Sequence, residues 1–334
     1  MKKTRRKILT AAITLIVALG LSIGTVFAWF TSNRRVTFET IDAQVTTGSQ
    51  GLFVALKQYD GTYTQFKTSL TAAELQEAIF GGTGAANLAT VKLDHMTTED
   101  NGVTLKGQDG STIPAFNTDA TTTEGKNGYV QFTLKFRTTV AQNIYLAGGK
   151  TGGVVDAGSS TITPGTNVTL NPVLAWKTEG AGVYGTAITQ GQAINARAAH
   201  AARVAFISGA TGKIWAPYDQ ADISPVHDGV HDQAGYYLGN LAGDYYNNFI
   251  GNGSAPAVAK TSVVNSVVML SDENMVANNP GTATIIATTS SVSGNFEAEV
   301  TVKLWIEGTD GDCLNSIFDD KISLLLSFNS ISIV

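Results

Sequence analysis

The stretch Val130-Gln131-Phe132-Thr133-Leu134-Lys135-Phe136-Arg137 sets four apolar residues against four polar ones in strict alternation. Successive side chains of a β-strand point to opposite faces, so this period of two makes a strand with one face in a core and the other in water. Phe296, Ala298, Val300, Val302, Leu304 and Ile306 repeat the pattern against Glu297, Glu299, Thr301, Lys303 and Glu307. Such alternation belongs to antiparallel sheets with one wet face, and the charges on that face discourage edge-to-edge aggregation.

Weaker strand patterns occur at residues 35–45, 51–58, 168–176, 204–207, 262–270, 282–288 and 322–328, separated by runs rich in Gly, Asn, Thr and Ser. One helix is predicted over residues 71–80: Thr71-Ala72-Ala73-Glu74 fits a capping box, Leu75 and Ile79 share a face, and Gly81-Gly82 ends it. The alanine-rich residues 193–202 are a second helical candidate that runs into Arg203-Val204-Ala205-Phe206, which has strand character. Many short strands with little helix predict an all-β fold, a jelly-roll-like antiparallel β-sandwich with one or two short helices. Residues 29–334 are expected to form a single elaborated domain with insertions near 151–192 and 211–259. A division near Ala210 is the competing organisation.

The chain has 334 residues, 43% hydrophobic and 15% charged, and its 35 glycines against 7 prolines indicate many turns around a real core. Five of the 22 basic residues lie in the first 28, which leaves 17 against 27 acidic residues in the remainder, a net charge of −10. Such a body is a poor partner for nucleic acid. A single cysteine excludes an intramolecular disulfide framework, and four histidines leave little for a dedicated metal cage or histidine-based catalysis. Lys2, Lys3, Arg5, Arg6 and Lys7 precede an uncharged stretch from Ile8 to Phe30, the pattern of an export signal. Val26-Phe27-Ala28 provides a signal peptidase site, so cleavage after Ala28 yields a secreted, cell-surface or extracellular-matrix protein. The same stretch is long enough to span a bilayer as an uncleaved anchor, and both readings stand.

Ala28-Trp29-Phe30-Thr31-Ser32-Asn33, emerging from the export signal and leading into a strand, resembles the start of mature proteins in the TasA/camelysin group of Gram-positive bacteria. Leu304-Trp305-Ile306-Glu307-Gly308-Thr309-Asp310-Gly311-Asp312-Cys313-Leu314-Asn315, followed by residues 322–328, is similar to the C-terminal strand-loop-strand of exported Gram-positive proteins with that kind of start. The resemblance implies a secreted jelly roll retained at the surface or in a biofilm matrix. In some relatives it implies assembly into fibres by donation of an N-terminal strand to a neighbour. Residues 29–45 would then be the donated segment, with Trp29, Phe30, Val36 and Phe38 as assembly residues. The insertions have no counterpart in that group. Camelysin-type relatives also carry an implied metallopeptidase activity.

His227-Asp228-Gly229-Val230-His231-Asp232 contains the only close histidine pair, and His227, His231 and Asp232 are competent zinc ligands. The zinc-protease pattern needs His-Glu-x-x-His on a helix; here Asp replaces Glu, and Gly229 weakens any helix, so a solvated loop is the plainer alternative. Asp310, Asp312 and Asn315, with Asp319 and Asp320 nearby, place hard oxygen ligands for calcium in one loop, although the spacing is not that of an EF-hand and a simple Asp/Gly turn has the same composition. Cys313 in that loop is either a buried small hydrophobe or a pairing site between chains. Tyr236, Tyr237, Tyr245 and Tyr246, with Trp215 in the same region, form a candidate recognition surface for cell-wall or host glycans or for another protomer; alternatively they close a long loop over the sandwich. No Ser-His-Asp order, phosphate loop or nucleotide fingerprint is present, and no cofactor is expected beyond those candidate calcium or zinc ions. The leading expectation is a non-enzymatic structural protein that partners itself or other matrix proteins. An adhesin or carbohydrate-binding module and a secreted metallopeptidase are the alternatives.

Overall fold

The computed structural model describes residues 37–45, 51–81, 93, 95–107, 111–116, 128–164, 168–170, 194–196, 198–216, 267–308 and 320–333, all within one compact unit that spans residues 35–334. In chain order the elements are β1 (Thr37–Val45), β2 (Phe53–Leu56), β3 (Ser69–Leu70), α1 (Ala72–Phe80), β4 (His95–Met96), β5 (Val130–Thr138), β6 (Gln142–Leu146), β7 (Lys150–Thr151), β8 (Val154–Val155) and β9 (Thr161–Pro164). Then follow β10 (Val168–Leu170), β11 (Ile194–Ala196), α2 (Ala198–Ala201), β12 (Ala202–Ser208), β13 (Thr211–Trp215), α3 (Asp272–Val276), β14 (Ile285–Thr288), β15 (Ser290–Val292), β16 (Asn295–Glu307) and β17 (Lys321–Ser332).

The fold is an all-β sandwich. Sheet one runs β14-β6-β17-β1-β3, with β9 also on β17; sheet two runs β13-β12-β16-β5-β2, with β15 and β4 also on β16. The two alternating segments that opened the sequence pair antiparallel as β5 and β16, from Phe296 opposite Thr138 to Leu304 opposite Val130. Their apolar sides face sheet one, where Phe328 of β17 meets Phe136 at 4.9 Å and Phe206 of β12 at 6.1 Å, both edge to face. The sandwich is not wholly antiparallel: β1 lies parallel to β17, and β4 parallel to β16. Strands this distant in sequence are free of the hairpin constraint that imposes antiparallel order.

The expected wet face of β16 is wet only over part of its length. Glu297 and Glu299 pair with Arg137 and Lys135 across the ladder, but Lys303 and Glu307 are buried. The reason is a strap, residues 95–107 and 111–116, laid over the outer face of sheet two; there Met96 and Leu105 join Tyr129, Ala205, Ile214 and Trp305 in a second apolar cluster. Desolvation pushes the Lys303 ammonium down, and its Nζ donates to the Val103 carbonyl of the strap. Glu307 accepts from Trp305 Nε1 at 3.1 Å.

Helix α1 follows its predicted signals: Thr71 and Glu74 form the capping box, and Gly81 ends the helix in the left-handed region at φ 72°. The alanine-rich segment divides into β11, the single turn α2 and β12. Residues 267–270 form no strand and make bridging bonds only. Most of the two expected insertions, residues 171–193 and 217–259, lies outside the described residues. β13, at the start of the 211–259 segment, is a regular partner of β12, and β9, inside the 151–192 segment, pairs with β17. Residues 148–159 carry the β7–β8 hairpin, which is pinched at its base where Ser160 N donates to Ala147 O.

Candidate functional site

Both flanks of the sandwich are tied across. On one flank β2 bonds outward to residues 63–67, with Val54 and Lys67 exchanging N–H···O bonds at 2.8 and 2.9 Å, and the chain then continues into β3, on the edge of sheet one. On the other flank Val267 N donates to Ile214 O of β13, Thr284 N donates to Val268 O, and Leu270 N donates to Leu146 O of β6, so residues 267–270 bind both sheets. Thr289 carries the chain from β14 in sheet one to β15 in sheet two, anchored by reciprocal bonds with Gln142. Among the described residues, the longest stretch of strand lacking an outer strand partner is the outer side of β1 over residues 37–42, since β3 covers only Ala43 and Gln44.

β1 therefore lies in a slot with one strong wall. It pairs with β17 from Thr37 opposite Lys321 to Val45 opposite Phe328, with a register irregularity between Phe38 and Thr40. Ile41, Ala43 and Val45 face the core and are buried, while the intervening Asp42 and Gln44 are partly exposed. Each of those two makes a specific bond. Asp42 Oδ1 accepts from the Ala72 backbone N–H at 3.1 Å, at the start of α1, and Gln44 Nε2 donates to Ser327 Oγ at 3.0 Å. Ser327 is itself fully buried and fixed from the far side: its N–H donates to Ser160 Oγ at 2.9 Å, and its carbonyl accepts from the same hydroxyl at 3.0 Å. Gly158 approaches the Gln44 amide closely enough that an added Cβ would sit 3.9 Å from Nε2.

Of the residues singled out from the sequence, Phe38 lies in β1 opposite Ile322, whereas Trp29, Phe30 and Val36 fall outside the described residues. So do His227, His231, Asp232, Asp310, Asp312, Asn315, Cys313, Asp319, Tyr236, Tyr237, Tyr245 and Tyr246. Trp215 does not stand on a surface: it is 1% exposed in β13 and packs in the main core, on the face of sheet two opposite the strap, against which Ile214 packs. Asp320 is buried, its carboxylate accepting from Ala198 N, at the start of α2, and from Lys321 N at 2.8 Å each. Among the described residues no group of three or more His, Cys, Asp or Glu side chains is placed to hold a metal ion, and no helix is long and apolar enough to cross a membrane. Asp42, Gln44, Ser327 and Ser160 were not among the sequence-derived candidates. The alternation of Ile41, Ala43 and Val45 with Asp42 and Gln44 was visible, but the parallel partner that gives those polar residues meaning lies 283 positions away. Comparison of the chain with family models, with curated proteins and with solved structures yields no match.

Proposed function

We propose that this is an exported, non-enzymatic structural protein of the cell surface or extracellular matrix whose copies assemble by exchanging β1. The observation that carries the reading is the slot. Among the described residues, the strand that follows the export signal fills a place beside β17 with eight register partners on that side and two on the other, while backbone bonds tie the two sheets together at the flanks formed by residues 63–67 and 267–270. Addition of a foreign strand would need an open edge, which among the described residues is longest on the outer side of β1 over residues 37–42. Exchange needs none, because a neighbour's β1 would make the contacts that β1 makes at home, and the cost falls on release rather than on the final state. The slot also qualifies the role of residues 29–45 as a donated segment. Ile41, Ala43 and Val45 complete the core, so deleting them opens the core and strips β17 of its β1 partner, and does not give a clean assembly-defective monomer.

A reversible lock tests this. In a Cys313→Ser background, Thr40→Cys with Ser323→Cys places two thiols on Cα partners of adjacent strands. Oxidised before assembly, the protein is expected to remain monomeric by light scattering and negative-stain microscopy, and to assemble once reduced. Fibres of equal yield from the oxidised, internally cross-linked protein would sink the proposal.

A further inference from the structure

We infer that Asp42 and Gln44 select the strand that β17 accepts, and that the selected partner is a second copy of this chain; the inference rests on the exchange reading above. Hydrophobic alternation alone leaves the register ambiguous. A slip by one residue turns Ile41, Ala43 and Val45 away from the core, but a slip by two keeps the same face inward. The two polar bonds remove that ambiguity. After a two-residue slip, Gln44 stands opposite Leu325 or Asn329 instead of Ser327. Asp42 then moves about 6–7 Å along the strand from the Ala72 N–H, at roughly 3.3 Å per residue.

The two anchors belong to different elements, α1 and β17, and each demands a different chemistry. Ala72 N presents a donor and requires an acceptor; Ser327 Oγ, whose own backbone is tied to Ser160, receives an amide N–H. A strand satisfies both only with an acceptor and an amide two residues apart, set between apolar residues sized for the core. Ile41-Asp42-Ala43-Gln44-Val45 is that sequence.

The test is competitive incorporation of fluorescently labelled full-length protein into fibres grown from unlabelled full-length protein. The Asp42→Ala/Gln44→Ala variant is expected to enter about tenfold less than the unaltered chain, the ratio one or two net hydrogen bonds support, while keeping a cooperative melting transition as monomer. Equal incorporation would overturn the inference and leave the exchange reading intact. Failure of the unaltered chain to form fibres overturns the exchange reading and the inference with it. Should the double variant not fold, singly altered proteins serve: mixing Gln44→Ala with Ser327→Ala restores the contact only where a Ser327→Ala strand enters a Gln44→Ala slot. Cross-linked junctions resolved by mass spectrometry are expected to favour that orientation about tenfold, and an even split refutes the inference.

Discussion

Gly212 and Gly102 hold the strap against sheet two through contacts that no other residue permits. A Cβ on Gly212 would lie 2.1 Å from the Asn101 carbonyl oxygen, and one on Gly102, at φ 87°, would lie 2.3 Å from the Ala205 Cβ. Either glycine changed to alanine is expected to cost about 2 kcal/mol or more in urea denaturation, with loss of the Trp305 burial signal in fluorescence. Carboxylates supply the acid limb of stability. Glu74 is held below its ordinary value first by the Lys67 ammonium and then by the Thr71 N–H; for Asp100, burial raises the value, but hydrogen bonds from Thr104 and Thr98 outweigh it. A depressed carboxylate means that the unfolded chain binds more protons in that window. The contribution is therefore complete above the ordinary values of 4.5 for Glu74 and 3.8 for Asp100 and is lost as pH falls through the folded values. Melting temperature is expected to fall with pH below that range, less steeply in Glu74→Gln; a pH-independent melting temperature down to strongly acid solution would contradict this assignment.

At the scale of elements, α1 joins the slot to the rest of the molecule. Its capping box ties Thr71 to Glu74, its buried Leu75, Ile79 and Phe80 anchor it in the core, and its first N–H reaches Asp42 of β1. Thr71→Ala removes one cap and is expected to cost about 1 kcal/mol by chemical denaturation, with little change in the denaturant slope. The loss is expected to be less than additive with Asp42→Ala, since both residues satisfy N–H groups of the same first turn. Helix α3 gives the contrast: Ser271 caps it, but none of its residues is buried. Ser271→Ala is expected to speed local amide exchange there while moving the global transition by a few tenths of a kcal/mol.

The whole molecule has an uneven distribution of restraint. β16 sits between β12 and β5 and is covered on both faces over its second half, whereas among the described residues β1 has β17 along one side and β3 against only Ala43 and Gln44 on the other. Hydrogen exchange is expected to divide accordingly, with residues 37–42 opening at lower free energy than residues 298–306. Uniform protection across β1 and β16 would mean that β1 leaves only by global unfolding, too slow a route for assembly by exchange.

Strict alternation in residues 130–137 and 296–306 was enough to specify strands, their inward faces and an all-β class, because side-chain period and burial are local consequences of a pleated backbone. The cap and stop of α1 were equally legible, as Thr71, Glu74 and Gly81 act within a few residues of one another. Pairing was not. That β1 would lie parallel to β17, that Lys303 and Glu307 would be covered by a strap, and that Trp215 would be core rather than surface all depend on contacts between segments far apart in the chain. Alternation marks which face of a strand seeks cover but not what covers it. The partner is chosen by the free energy of the assembled sheets, and Asp42 and Gln44 acquire their meaning only once α1 and β17 stand beside them.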